Sequence, residues 1–231
     1  MATRPAFISQ SIGSALVRIE WIDFTWHAGM AMSRRQMSMR SLHEAIRAVH
    51  PTARILEVSR MSDEELGKQL SAFNLTLQRK DNGHELPVEC AFQGSKIFER
   101  GGPFLDLLSE SPAAAKRDPR LQESGRLTGF RFLDEDWPSE PPTAFYSWIY
   151  LNALRRHPHL ASAVTEYDIF TDIAFNPQRS INCQASSVAL YVALARRRDL
   201  RRALSSRQAF LNIYNDSIFK DDAQSAQVSL F

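Results

Sequence analysis

The chain is poor in cysteine: Cys90 and Cys183 are its only two, and neither stands in a CxxC pair. That argues against a disulfide scaffold and against a cysteine zinc site. His157 and His159 flank Pro158 with no carboxylate or cysteine at ligand spacing, so no metal is expected. No apolar stretch approaches the ~20 residues of a membrane span. Met1 to Gly13 lacks a basic segment followed by a long apolar run, so no signal peptide is expected and the protein reads as cytoplasmic. GxGxxG and GxxxxGK segments are missing, which removes the standard dinucleotide and P-loop readings. There are no internal repeats and no alternating βαβ pattern, and hence no sign of a doubly wound sheet. Charge of one sign is not in excess either. The 28 basic and 26 acidic residues leave a net charge of +2, which neither supports nor excludes a nucleic-acid substrate, because clustering matters more than the total.

What is present is ordinary globular composition: 231 residues, 44% hydrophobic and 23% charged, enough to bury one real core. Leu16 to Trp21 reads as a strand that Asp23 to His27 extends or pairs with. Ser41-Leu42-His43-Glu44 reads as a capping box opening a helix that stops before Pro51. Arg54 to Val58 is a short strand, and Ser62-Asp63-Glu64-Glu65 is a second capping box for a helix ending before Leu70. Leu77 to Leu86 reads as a polar loop. Pro87 suits the first turn of a helix running from about Val88 to Glu99 and ending at Gly101-Gly102. Ser111 to Gly129 reads as a surface loop, and Asp134 to Pro142 as a rigid connection. Thr143 can cap an amphipathic helix to about Arg156. Leu160 to Phe170, Ala185 to Arg197 and Ser206 to Phe219 read as further helices, with a turn at Phe175-Asn176-Pro177 and a frayed tail from Asp221. The expected fold is mainly α, with a few short β-strands in the N-terminal part. The expected division is a strand/helix segment over 1–61 and a helical core over 62–231, within one compact unit.

Chemistry concentrates in Pro87-Val88-Glu89-Cys90-Ala91-Phe92-Gln93-Gly94-Ser95-Lys96. On a continuous helix Glu89, Gln93 and Lys96, spaced i, i+4 and i+7, form one polar stripe. A carboxylate, an amide and an ammonium side by side can supply a base, an orienting group and a nucleophile or charge clamp. The same stripe would equally serve as a solvated helix face.

That segment resembles the central motif of the NADAR family, hydrophobic-Glu-x-x-aromatic-Gln-x-x-Lys. Upstream, Leu70-Ser71-Ala72-Phe73-Asn74 resembles the family's Leu-Ser-Asn-Phe segment, with Ala72 in place of Asn and Asn74 following two residues later. Other segments resemble the NADAR branch encoded beside DarT-type DNA ADP-ribosyltransferase toxins. These are Gly101-Gly102-Pro103-Phe104, Ala115-Lys116-Arg117-Asp118, Thr143-Ala144-Phe145-Tyr146, and Asp168 to Pro177 continuing through Ser180 to Ala185. The resemblance spans roughly residues 66 to 195. It implies a NADAR-like multihelical core and an N-glycosidase acting on ribosides. In this branch the implied substrate is ADP-ribosylated guanine in DNA, and the implied role is that of an antitoxin. Glu89 and Lys96 inherit the catalytic positions. Asp172 matches the family's later acid, although its surroundings depart from the usual Asp-x-x-Trp-Gly. Ser71, Asn74 and Gln93 fall in the matching motifs as substrate contacts. Trp148 matches a family tryptophan that stacks on a base or walls the pocket; a core role fits its apolar neighbours equally. Asn182 and Gln184 either bind substrate or satisfy buried backbone. The chemistry needs no cofactor, and NAD enters only as the toxin's substrate. The implied partners are ADP-ribosylated DNA, ADP-ribose and a DarT-type toxin, with no membrane and no metal.

Two basic segments stand outside the motifs. Ser33 and Arg34, in Ser33-Arg34-Arg35-Gln36 ahead of an expected helix start, would suit a diphosphate or an ordinary solvated loop. Arg196-Arg197-Arg198 with Arg201 and Arg202 would follow a DNA backbone or solvate a helix end. Three rivals to the DNA-directed enzyme therefore remain. They are an N-glycosidase on a small phosphoribosyl metabolite, an antitoxin acting by contact with the toxin alone, and a non-catalytic DNA-binding module.

Overall fold

The computed structural model describes residues 1–29, 31–78, 83–176 and 182–217. The expected turn at Pro177, the tip of the Leu77 to Leu86 loop and the tail from Asp221 lie wholly or partly outside them.

The N-terminal half of the fold is a four-stranded sheet in the order β2 (Val17–Phe24), β1 (Ala2–Ser9), β9 (Ile169–Thr171), β3 (Ile55–Glu57). β1 is antiparallel to β2 and to β9, while β3 runs parallel to β9. The sheet thus draws strands from both sides of residue 61. Period-two alternation sorts its side chains onto two faces. Ala6, Ile8, Ile55 and Ile169 pack with Met39, Leu42 and Ile46 of α1 (Met32–Val49). Phe7, Leu56 and Phe170 face the larger core built around α6 (Ala144–Leu154) and α8 (Gln184–Arg196).

Two smaller sheets complete the β content. β4 (Thr76–Gln78) pairs with β5 (Glu85–Pro87), and β7 (Leu127–Phe132) lies between β6 (Lys96–Phe98) and β8 (Glu135–Pro138). The remaining helices are α2 (Glu65–Gln69), α3 (Val88–Gly94), α4 (Pro112–Arg117), α5 (Arg120–Glu123), α7 (Pro158–Val164), α9 (Leu200–Ala203) and α10 (Arg207–Ser217), with a 3₁₀ turn at Leu105–Ser109. No helix among the described residues is long and apolar enough to cross a membrane.

The expectation of a mainly helical fold is therefore corrected. Helix accounts for 43% of residues and strand for 21%, in sheets of four, two and three strands, which makes the fold mixed α/β. The physical reason is tertiary pairing of short segments. β3, β6 and β9 have three residues each, too few to display a period in sequence, and they become strands because a partner edge is present. Ser111 to Gly129, expected as loop, forms α4, α5 and the start of β7. Asp134 to Pro142 contains β8, and the segment expected as helix from Leu160 splits into α7 and β9. Ser41 does not cap α1; it lies inside it, and its Oγ accepts from the Thr25 amide at 3.3 Å. The second expected box starts its helix two residues late, with Glu64 as N-cap and Ser62 Oγ accepting from the Glu64 amide at 3.2 Å. α6 is not amphipathic: every residue except Trp148 is buried.

The arginine cluster at the end of α8 is structural in its first two members. Arg197 donates to the carbonyls of Gln10, Ile12, Gly13 and Ala15 at 2.6–3.0 Å, closing over the β1–β2 turn. Arg196 reaches Ser9 Oγ, the carbonyls of Thr165 and Tyr167, and Asp168 Oδ1. Neither guanidinium is displayed to a DNA backbone. Arg198, Arg201 and Arg202 are exposed, and Arg202 pairs with Asp199 at 3.1 Å.

Candidate active site

α3 is short and wholly buried, from Val88 to Gly94. It begins at Pro87, and its first amides are satisfied from outside the helix. Val88 N donates to the Leu75 carbonyl and Glu89 N to the Ala72 carbonyl, both at 2.9 Å. The Leu70–Asn74 segment therefore docks directly on the start of α3. The helix does not run on to Glu99. Ser95 turns its Oγ back to the Ala91 carbonyl at 2.6 Å, and its own carbonyl accepts from Arg131 N at 2.8 Å. The chain then pairs with β7, placing Lys96 opposite Phe130. Lys-Ile-Phe is better suited to a half-buried strand than to a helix once β7 offers an edge.

The single helical stripe is consequently half right. Glu89 and Gln93 share a face, and Gln93 Nε2 donates to Glu89 Oε1 at 2.8 Å. Lys96 arrives from β6 and folds its ammonium 4.6 Å over the centroid of Phe92, on α3. Gly102 supports this corner. Its φ is +87°, and a Cβ there would lie 2.2 Å from the Lys96 carbonyl, so only glycine fits without displacing the strand.

The electrostatics of the corner are unusual. Glu89 is 5% exposed and pairs with Lys116 of α4 at 3.6 Å. Burial pulls the Lys96 ammonium down to a pKa of about 8; Glu89 opposes that shift and Lys116 adds to it. Gln93 is 6% exposed, and its Oε1 has no hydrogen-bond partner among the described residues. Exchanging the amide's O and N would forfeit the bond to Glu89, so the unpaired atom is an acceptor. Tyr146 of α6 packs edge-on against Phe92, with centroids 5.1 Å apart. Burial and then Glu89 push its hydroxyl well above the usual phenol range.

Asp172 approaches from the big sheet. It follows β9, and alternation continued past the strand end sends it towards α6 and α8. Its Oδ1 accepts from Ala174 N at 3.0 Å, and the Gln184 amide also faces it. Desolvation and then Glu57 push its carboxyl well above the ordinary range, partly offset by those hydrogen bonds and by Lys116. Tyr146 lies close enough to both Glu89 and Asp172 to respond to each. On the opposite face of the sheet, Glu57 is 1% exposed. Its Oε1 accepts from Ser59 Oγ at 2.5 Å and Ile173 N at 2.9 Å, and its Oε2 accepts from Thr171 Oγ1 at 2.7 Å. Thr171 Oγ1 also contacts His43 Nε2 at 2.8 Å, and burial keeps that histidine neutral, with a pKa of about 4. Burial raises the Glu57 carboxyl as well, its three hydrogen bonds pulling the other way, so Glu57 and Asp172 both hold a proton more readily than free carboxyls.

The other expected residues fall in different places. Gln184 clamps backbone: its Oε1 accepts from Ala72 N at 2.8 Å and its Nε2 donates to the Val58 carbonyl at 2.5 Å. It thereby ties the Leu70–Asn74 turn to β3 beside Asp172. Ser71 is buried and braces that turn through its carbonyl, which accepts from Asn74 N and Leu75 N. Asn74 is exposed on the outside of the turn, where its Nδ2 donates to the Lys68 carbonyl at 2.8 Å. There it lines a surface groove of about 420 Å³ with His157 and Arg156. Trp148 packs against Trp137 with the rings tilted by 46° and centroids 4.8 Å apart, on the side of α6 away from Tyr146 and Tyr150. Asn182 is half-buried ahead of α8. Ser33 and Arg34 do not precede α1; they form its exposed first turn, and no contact among the described residues joins them to α3. Sequence reasoning missed Glu57, Lys116, Tyr146 and Phe73. A lone acid inside the apolar run Ile55-Leu56-Glu57-Val58 was the available signal for the first.

A comparison with curated protein sequences gives no match. A family profile described as the DarT1-associated NADAR antitoxin matches residues 2–224, nearly the whole chain and well beyond the motifs around α3. With that span covered, the chain belongs to the DarT1-associated NADAR antitoxin family.

Proposed function

We propose that this protein is an N-glycosidase that removes ADP-ribose from guanine bases in DNA and so reverses a DarT-type toxin. One observation carries the reading. Lys96 is a desolvated lysine, with a pKa of about 8, packed at the same corner as the buried Glu89 carboxylate. An ordinary lysine near ~10.4 would hold almost no neutral amine at neutral pH; this one holds a useful fraction.

In the modified base, the exocyclic nitrogen of guanine is bonded to the anomeric carbon of ribose. Opening the sugar breaks the bond from that carbon to the ring oxygen. The oxygen takes a proton, and the guanine nitrogen gives one up to form an imine. The neutral Lys96 amine adds to the imine carbon. The guanine nitrogen leaves with a proton, and the sugar remains as a Schiff base on Lys96. Water adds to that carbon, the amine is released, and the aldehyde closes to ADP-ribose. Net consumption is one water. Glu89 moves the protons and steadies positive charge at the anomeric carbon. Asp172, its carboxyl pushed up by burial and by Glu57, suits the donor to the ring oxygen. The unpaired Gln93 Oε1 can accept from a sugar hydroxyl or a guanine N–H.

The test uses an oligonucleotide carrying ADP-ribosylated guanine, with the free modified nucleoside alongside. Release of ADP-ribose and unmodified guanine by the wild-type protein, and not by Glu89→Gln, is expected. Preference for the free nucleoside would support the small-metabolite enzyme. Protection from the toxin that survives Glu89→Gln would mark an antitoxin acting by contact.

A further inference from the structure

The proposed substrate carries a diphosphate, and of the residues described so far at the Glu89–Lys96 corner only Lys116, besides Lys96 itself, could meet its charge. Arg34 sits on the exposed first turn of α1, its stem against Gly29. Closer to the carboxylates, two cations converge on one aromatic ring. The Arg60 guanidinium lies 4.6 Å from the centroid of Phe73, and the Lys116 ammonium lies 5.3 Å from the same centroid. Resting on the functional reading above, we propose that Arg60 and Lys116, set on the Phe73 ring, form the subsite for the diphosphate of ADP-ribose.

The backbone beneath both ends is fixed. Arg60 is at the tip of a turn in which Ser59 Oγ accepts from Met61 N at 3.1 Å while donating to Glu57. Phe73 projects from the turn held by Ser71, Gln184 and the start of α3. A guanidinium seated over a ring spends no N–H donor on a hydrogen bond, and its planar fork can still grip phosphate oxygens. Arg60 is exposed and has neither hydrogen bond nor ion pair among the described residues, so all its donors are available. Lys116 is 57% exposed and adds a point charge with three donors. Its position also sets direction. In ADP-ribose the reacting sugar is one methylene from its phosphate, and Lys116 is 3.6 Å from Glu89 Oε1. A phosphate bound at Lys116 therefore leaves the anomeric carbon beside Glu89 and Lys96.

A DNA backbone phosphate offers the same chemistry, so the experiment separates the two sources. The full-length chain is titrated calorimetrically with ADP-ribose and, separately, with an unmodified oligonucleotide. Arg60→Ala should weaken ADP-ribose binding roughly ten- to hundredfold, the range for losing hydrogen bonds to a charged group. Arg60→Lys should recover part of that loss, oligonucleotide affinity should stay unchanged, and the unfolding midpoint should not move. Equal ADP-ribose affinity in wild type and Arg60→Ala overturns the subsite and leaves the glycosidase reading standing. A loss confined to the oligonucleotide reassigns Arg60 to the DNA backbone and equally overturns it. Failure of the wild-type protein to bind ADP-ribose at all rejects the functional reading and this subsite with it.

Discussion

The α3–β6 corner and the end of α8 each hold closely spaced charged side chains, yet they are built on opposite terms. At the end of α8, Arg196 and Arg197 sit half-buried with their donors spent on backbone carbonyls, one hydroxyl and Asp168. At the corner, Glu89 and Lys96 are held in a largely desolvated setting, and among the described residues Gln93 keeps an orphaned acceptor and Lys96 rests on a ring without a carboxylate bonded to it. Full satisfaction fixes a fold, whereas incomplete satisfaction of buried groups costs stability and is retained where chemistry needs it. The difference assigns architecture to the α8 cluster and accords with the catalytic role proposed for the α3–β6 corner.

That contrast breaks most readily at Lys96. Lys96→Met should lower turnover by roughly a thousandfold or more, because nucleophile and charge go together. It should also stabilise the fold at neutral pH. Burial lowers the folded pKa of Lys96 to about 8 from 10.5, so the unfolded chain binds the extra proton more readily. The resulting cost is fully present below about pH 8 and disappears as pH rises towards 10.5. Denaturant titrations at pH 7 should show Lys96→Met more stable by on the order of 1–2 kcal/mol, with the gap closing near pH 10.5. A variant less stable than wild type at pH 7 would make Lys96 a structural residue. Activity of the wild-type protein should rise with pH through about 8, as the amine becomes neutral.

Arg197→Ala should do the reverse. Releasing the β1–β2 turn is expected to cost about 1.5–3 kcal/mol of stability, while turnover per folded molecule and the salt dependence of DNA binding stay as in wild type. A flatter salt dependence at unchanged stability would return the cluster to DNA contact. The smallest effect is expected at Arg34. Arg34→Ala, an exposed substitution remote from α3, should change the ADP-ribose Kd by less than about threefold. A tenfold loss in the same calorimetric titration would move the diphosphate to α1.

Much of the corner was legible in the sequence, for a partly mistaken reason. Glu89, Gln93 and Lys96 stand out by type and spacing, but the helix expected to align them ends at Gly94, and Lys96 reaches the site from a strand. The side chains still meet because one as long as lysine reaches Phe92 from either geometry. Local patterns also gave the β2 strand and helices close to α6, α8 and α10. What local pattern could not give was pairing at a distance. Glu57 becomes a buried acid only because β3 lies parallel to β9, and Asp172 becomes its neighbour only through that register. Arg60 and Lys116 are unremarkable surface cations until the Phe73 ring meets both of them. The capping boxes failed because Ser41 and Ser62 found other backbone amides.

The central claim is that Lys96 attacks the sugar. Borohydride added while the wild-type protein turns over ADP-ribosylated guanine in DNA would reduce a Schiff base to a stable amine, and mass spectrometry of the digested protein would locate it. The account predicts an ADP-ribose adduct on the peptide containing Lys96, none in Glu89→Gln, and an inactive Lys96→Arg, since arginine keeps the charge but does not form the imine. No adduct in wild type, together with an active Lys96→Arg, would contradict it and leave Lys96 as a fixed positive charge.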